Sequence, residues 1–157
     1  MIPEIEKRIF QKIDFCNRFL KIRKKFTDDG LDTPIFKKQD IIIIFNQIGR
    51  PCKYVIGGSY SVERVHQNYL FKYNFIISKN TINIFMYIYI DGKFLEEREN
   101  HTGFLLYEIP YDKNLLEHNY GLNSLNDLKN YIKDMIELCD EFVNEYCKEI
   151  DAGNVPE

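Results

Sequence analysis

Residues 69–94 read YLFKYNFIISKNTINIFMYIYIDGKF, and no other stretch limits the fold so tightly. Aromatic and β-branched residues recur at every second position, the period of a strand with two unlike faces. Two dipeptides interrupt the pattern, Lys79-Asn80 and Asp91-Gly92, and Asp-Gly is among the strongest hairpin signals a sequence can carry. The spacing predicts an antiparallel meander of strands over 69–78, 81–90 and 93–98, because two-residue turns cannot join parallel strands.

Folding the chain about Lys79-Asn80 sets Ile77 opposite Ile82, Phe75 opposite Ile84, Tyr73 opposite Met86 and Phe71 opposite Ile88. That side is a core face. The reverse side carries Lys72, Asn74, Phe85, Tyr87 and Tyr89. Across the second turn it gains Phe94 beside Tyr89, Glu96 beside Tyr87 and Arg98 beside Phe85. Tyr, Phe and Arg dominate the hot spots of protein interfaces, so Phe85, Tyr87, Tyr89 and Arg98 are candidate partner-binding residues. KYVIGG reads as a further short strand, and GFLLYEI, residues 103–109, as another.

Helices flank this sheet. Ile2, Ile5, Ile9, Ile13, Cys16 and Leu20 recur at steps of three and four, widened by Phe15, Phe19, Ile22 and Phe26. This predicts one long N-terminal helix with Pro3 in its first turn. DIIIIFNQIGRP fits a buried strand by its four isoleucines. It fits a helix by the face Ile41, Ile44, Phe45 and Ile48, with Asp40 as cap and Gly49 and Pro51 at the end, and helix is the preferred reading. Ser124, with Asp127 three residues on, starts the last helix in a capping-box-like arrangement. Its seam is Leu125, Leu128, Ile132, Met135, Cys139, Phe142 and Tyr146. The expectation is an α+β fold: an antiparallel sheet of four to five strands packed against long N- and C-terminal helices, in one domain over residues 1–157.

The start, MIPEIEKRIFQKIDF, places charges inside any apolar stretch, which does not fit a secretory leader. The longest apolar runs, Ile41 to Phe45 and Ile82 to Ile90, fall well short of the ~20 residues of a membrane span. A cytoplasmic location is expected. Cys16, Cys52, Cys139 and Cys147 show no metal-binding or paired spacing and are read as free, mostly buried thiols.

Charge is distributed unevenly. Residues 1–26 hold eight Lys/Arg against three Asp/Glu, and residues 112–157 hold four against eleven. Within the last helix, Asp134, Glu137, Glu141 and Glu145 fall on one stripe with Asp140 at its edge, and no Lys or Arg lies between Asp134 and Glu145. Solvated helix faces usually interleave signs. These five acids are therefore candidate contacts for a basic surface on a protein partner, through which complementary fields would speed association.

Catalytic signals are sparse, and no catalytic residue, metal ligand or cofactor is assigned. Ile56-Gly57-Gly58-Ser59 resembles the strand-end glycine-serine turn of polymerase-β-like nucleotidyltransferases. That family places two metal-binding acids on the next strand, where this chain has Lys72 and Asn74. A sharp turn explains the two glycines equally well. Asp91-Gly92-Lys93 fits a D-x-K nuclease fragment and, as completely, a hairpin turn. His66, His101 and His118 lie far apart. Aromatic sheet faces also bind single-stranded nucleic acid, but they need surrounding positive charge. Here the basic run KIRKKF, Lys21 to Phe26, reads more simply as a helix end, where cations suit the dipole.

The general build, from MIPEIEKRIF through the SKN and DGK hairpins to SLNDLKNYIKDMIELCDEF, resembles a bacterial immunity protein of a polymorphic or contact-dependent toxin system. The resemblance implies a cognate toxin partner, often a basic nuclease domain, and no catalysis by this chain. It assigns no individual binding residue. A nucleotidyltransferase-like enzyme and a small-ligand or nucleic-acid module using the aromatic face are the alternatives.

Overall fold

The computed structural model describes residues 2–31, 36–95, 108–116 and 118–155. Five strands, β1 (Lys53–Val55), β2 (Ser59–His66), β3 (Tyr69–Ser78), β4 (Thr81–Ile90) and β5 (Lys93–Phe94), form one antiparallel sheet in the order β1-β2-β3-β4-β5. Helices α1 (Glu4–Lys12), α2 (Phe15–Lys24) and α3 (Lys38–Ile48) precede the sheet. A 3-10 turn (Lys113–Leu115) and α4 (Leu125–Asp151) follow it.

The meander adopts the predicted register. Phe71 faces Ile88, Tyr73 faces Met86, Phe75 faces Ile84 and Ile77 faces Ile82, while Tyr89 pairs with Phe94 across the second turn. Each of the three two-residue turns along β2–β5 puts a positive φ on its first residue: Gln67 at 53°, Lys79 at 53° and Asp91 at 52°. That conformation matches the right-handed twist of the flanking strands. Of the last strand only Lys93 and Phe94 are assigned, and positions 96–98 lie outside the described residues. So do residues 103–107 of the expected strand over 103–109. The other two, Glu108 and Ile109, are not in a strand; Ile109 is buried, and the Ile2 amide donates to Glu108 Oε2 at 2.7 Å.

The N-terminal helix is not long: it is two short ones. The chain breaks at Asp14, which takes the left-handed conformation at φ 55° that Asp tolerates better than most residues. In an unbroken helix Phe10 and Phe15 would project about 140° apart. The break brings both inward, with ring centroids 4.9 Å apart and Phe10 stacked on Phe142 at 4.3 Å. Arg18 then donates to the freed Ile13 carbonyl at 3.1 Å, and Asn17 donates to the Asp14 carboxylate at 2.9 Å.

Residues 38–48 are helical, and Gly49 at φ 83° closes the helix, with the Arg50 amide reaching back to the Phe45 carbonyl at 3.0 Å. Asp40 lies within the first turn instead of capping it; Lys37 holds the cap position. Ser124 accepts from the Asp127 amide at 3.1 Å and the Asp127 carboxylate accepts from the Asn123 amide at 2.9 Å, which starts α4.

The helix α4 contacts α1, α2, α3 and β3, so it buries more than the one expected seam. Tyr131, Ile136, Leu138 and Val143 are buried alongside Leu128, Ile132, Met135, Cys139, Phe142 and Tyr146, whereas Leu125 is exposed. Among the described residues, no helix is long and apolar enough to cross a membrane.

Candidate functional surfaces

The acidic stripe of α4 meets cations of its own chain. Lys25 reaches Asp134 at 3.2 Å, Arg18 donates to Glu141, Lys12 reaches Glu145 at 2.8 Å, and Arg8 lies 3.7 Å from Glu149. The basic N-terminal segment and the acidic C-terminal helix thus pack along one seam and neutralise each other. Hydrogen bonds from Lys12 and Lys148 hold the Glu145 carboxyl below its ordinary range, and the bond to Glu145 raises the Lys12 ammonium above its own. Among the described residues, Glu137 has no ion pair; it lines a cleft of about 270 Å³ between α2 and α4 with Lys21 and Lys25.

Asp140 stands apart from that seam. It turns toward the sheet, where Arg50 and Arg64 both bridge to it and the Tyr73 hydroxyl donates at 2.8 Å. Arg64 occupies an inward position of β2, opposite Phe71, so this charged side chain replaces a core residue. Burial pushes the Tyr73 hydroxyl far up, which keeps it protonated and able to donate. Three donors on one carboxylate clamp the centre of α4 to β2, β3 and the end of α3. Apart from Asp140 itself, this hub is not legible in the sequence, because nothing local joins positions 50, 64, 73 and 140.

The outer face of the sheet is the second surface. Phe85, Tyr87 and Tyr89 project from it as the register requires, all half-buried, and are joined to Phe94. Their rings form a continuous row: Phe85 to Tyr87 at 6.3 Å, Tyr87 to Phe94 at 5.6 Å and Tyr89 to Phe94 at 5.5 Å. Arg98 and Glu96 lie outside the described residues. Among the described residues, the helical rings that touch the sheet do so on the other side: Phe45 meets Tyr60 and Phe75, and Tyr146 meets Tyr69 and Phe71.

On this outer face the sheet curls into a groove of about 210 Å³ that spans β1 to β4. Lys53 and Lys72 flank Glu63 at 3.2 and 3.7 Å, and the Lys72 ammonium sits 4.9 Å from the centre of the Tyr89 ring. Ser61 and Asn74 line the groove as well. Ser59 donates to the Asn74 side chain, while the buried Ser61 hydroxyl has no hydrogen-bond partner among the described residues.

The motifs weighed for catalysis resolve as turns. Gly57 and Gly58, at φ 102° and 80°, form the hairpin between β1 and β2, and Ser59 begins the antiparallel strand that follows. Asp91-Gly92 is the hairpin between β4 and β5. His66 bonds to Asp151 at 2.7 Å and His118 contacts the Phe26 carbonyl at 3.1 Å, while His101 lies outside the described residues. Burial raises all four thiols above their ordinary range. No cluster of three or more His, Cys, Asp or Glu among the described residues is placed to hold a metal ion. No protein-family model, curated protein or solved structure matches the chain.

Proposed function

We propose that this chain is a protein-binding module of the immunity type, which binds and neutralises a cognate toxin domain through the outer face of its sheet. The observation that carries the reading is the aromatic row Phe85, Tyr87, Tyr89 and Phe94, half-buried on the face opposite the one that the described helices pack on. Such a row supplies large, rigid contact area at low cost in side-chain entropy, as interface anchors do. The acidic stripe is the weaker contact surface. Three of its acids already hold cations of the same chain, and a partner would have to displace these before gaining anything.

The test is co-expression with a toxin domain encoded beside the gene for this chain. The wild-type chain restores growth, and Tyr87→Ala with Tyr89→Ala abolishes protection while the circular dichroism spectrum and thermal midpoint stay close to wild type. Full protection by that double variant sinks the assignment of the surface. Failure of the wild-type chain to bind or protect against the neighbouring product sinks the function.

A further inference from the structure

We propose that the groove between Lys53 and Lys72 is a subsite for a carboxylate carried on a small flat or apolar group, supplied by an acidic side chain of the protein partner. The assignment of the source rests on the protein-binding reading above; the chemistry of the groove stands on its own residues.

Charge sets the sign of the ligand. Among the described residues lining the groove, two lysines face one carboxylate, Glu63, which both of them share. One positive charge is left over, and an incoming carboxylate balances it with charge-assisted bonds, which are stronger than neutral ones. The Ser61 hydroxyl sets the hydrogen-bond polarity. It is more than nine-tenths buried and has no partner among the described residues, and a buried donor left unmade costs stability until an acceptor arrives. Asn74 next to it takes the Ser59 hydroxyl on its side-chain oxygen, which leaves its amide hydrogens to donate. Tyr87 and Tyr89 provide the flat wall, and the cation–π contact of Lys72 on Tyr89 keeps that ammonium over the groove.

Size decides the source. Sites for free small molecules commonly measure roughly 300–1,000 Å³. The groove, at about 210 Å³, is smaller and suits one inserted side chain. Its position beside the aromatic row makes it continuous with the proposed contact face.

The experiment uses benzoate as the probe and benzamide as its uncharged twin, titrated into isotope-labelled full-length chain and followed by NMR. Benzoate is expected to give saturable shifts at Ser61, Glu63, Lys72 and Asn74 with millimolar affinity, as suits a ligand of about nine heavy atoms. Benzamide gives none. Lys72→Gln weakens benzoate by about tenfold, the loss of one charge-assisted bond. Should that variant misfold, Lys53→Gln, whose side chain is 73% exposed, makes the same test without that risk. Equal shifts with benzamide, linear shifts without saturation, or unchanged affinity in both lysine variants overturn the site. In the growth assay, Lys72→Gln or Lys53→Gln reduces protection. Benzoate binding together with undiminished protection by both variants overturns the side-chain source. Failure of the wild-type chain to protect at all is read separately, since benzoate is titrated without a partner.

Discussion

The Tyr73 hydroxyl donates a 2.8 Å hydrogen bond to the Asp140 carboxylate, tying the middle of β3 to the middle of α4. Arg50 and Arg64 converge on the same carboxylate, so its removal strands three donors at once. Breaking a buried ion pair from one side costs about 3–5 kcal/mol. Asp140 keeps 25% of its side chain exposed, and solvent screening reduces the expected loss for Asp140→Ala to about 2–3 kcal/mol. Tyr73→Phe removes one neutral donor and costs about 1 kcal/mol. Urea denaturation measures both, and a loss below that of Tyr73→Phe in Asp140→Ala would show that the arginines find water as readily as the acid.

Gly121 tests the way the tip of the β3–β4 hairpin is held. A Cβ there lies 2.7 Å from the Asn80 side-chain nitrogen Nδ2, 2.8 Å from the Asp28 Cβ and 3.0 Å from the Asp28 Cα. The Leu122 amide donates to the Asn80 carbonyl at 2.8 Å and the Gly121 amide to the Phe26 carbonyl at 3.2 Å, so the loop cannot retreat without losing backbone bonds. Gly121→Ala is expected to destabilise the chain by about 1–3 kcal/mol. Thermal unfolding checks it. A midpoint equal to wild type means that the loop gives way freely.

Sequence patterning succeeded where one periodicity ran without interruption. The β3–β4 register follows from period-two alternation with a turn at Lys79-Asn80, and a slip of one residue would have put Phe71, Tyr73 and Phe75 in water. It failed where tertiary contacts override local pattern. The strand β2 was not expected, because Arg64 occupies an inward position and Ser59 and Ser61 are buried on the outer face. The break at Asp14 was hidden because Ile9, Ile13, Cys16 and Leu20 stay in phase with an unbroken helix; only Phe10, which falls off that stripe, hinted otherwise. The aromatic row was legible in full as far as Phe94. The groove was not, since it needs β1 and β2 brought beside β3.

The cysteines give a third prediction. Burial pushes the Cys16 thiol up to about 11 and the Cys139 thiol higher still, while Cys52 and Cys147 are raised and only partly buried. Reactivity follows the thiolate. At pH 8, iodoacetamide should modify Cys52 and Cys147 first and slowly, and Cys16 and Cys139 only when the chain unfolds. Peptide mass spectrometry over time decides it. Early labelling of Cys139 would mean that the α4–sheet contact opens on its own.

The seam between the basic and acidic helices yields the last prediction. Reversing Asp134, Glu141 and Glu145 to Lys sets each new ammonium against Lys25, Arg18 or Lys12. The triple variant should therefore lose stability, and lose most at low salt, where repulsion is least screened. Exposed pairs contribute little, about 0.2–1 kcal/mol for one such as Arg18–Glu141, so the chain should still fold. The pH dependence has a definite sign. The Glu145 carboxyl is lowered in the folded chain, so its contribution is present above the unfolded carboxylate value near about 4.3 and fades as pH falls through the folded one. The Lys12 ammonium is raised, so its contribution is complete below about 10.4 and fades as pH rises through the folded value. Stability from this pair is thus widest across neutral pH. A charge swap isolates the coupling: Arg18→Glu and Glu141→Arg should each destabilise, and the two together should recover about half or more of the summed loss. Additive losses in that cycle would mean that the acids and bases merely lie near each other, and would leave the stripe free to meet a partner.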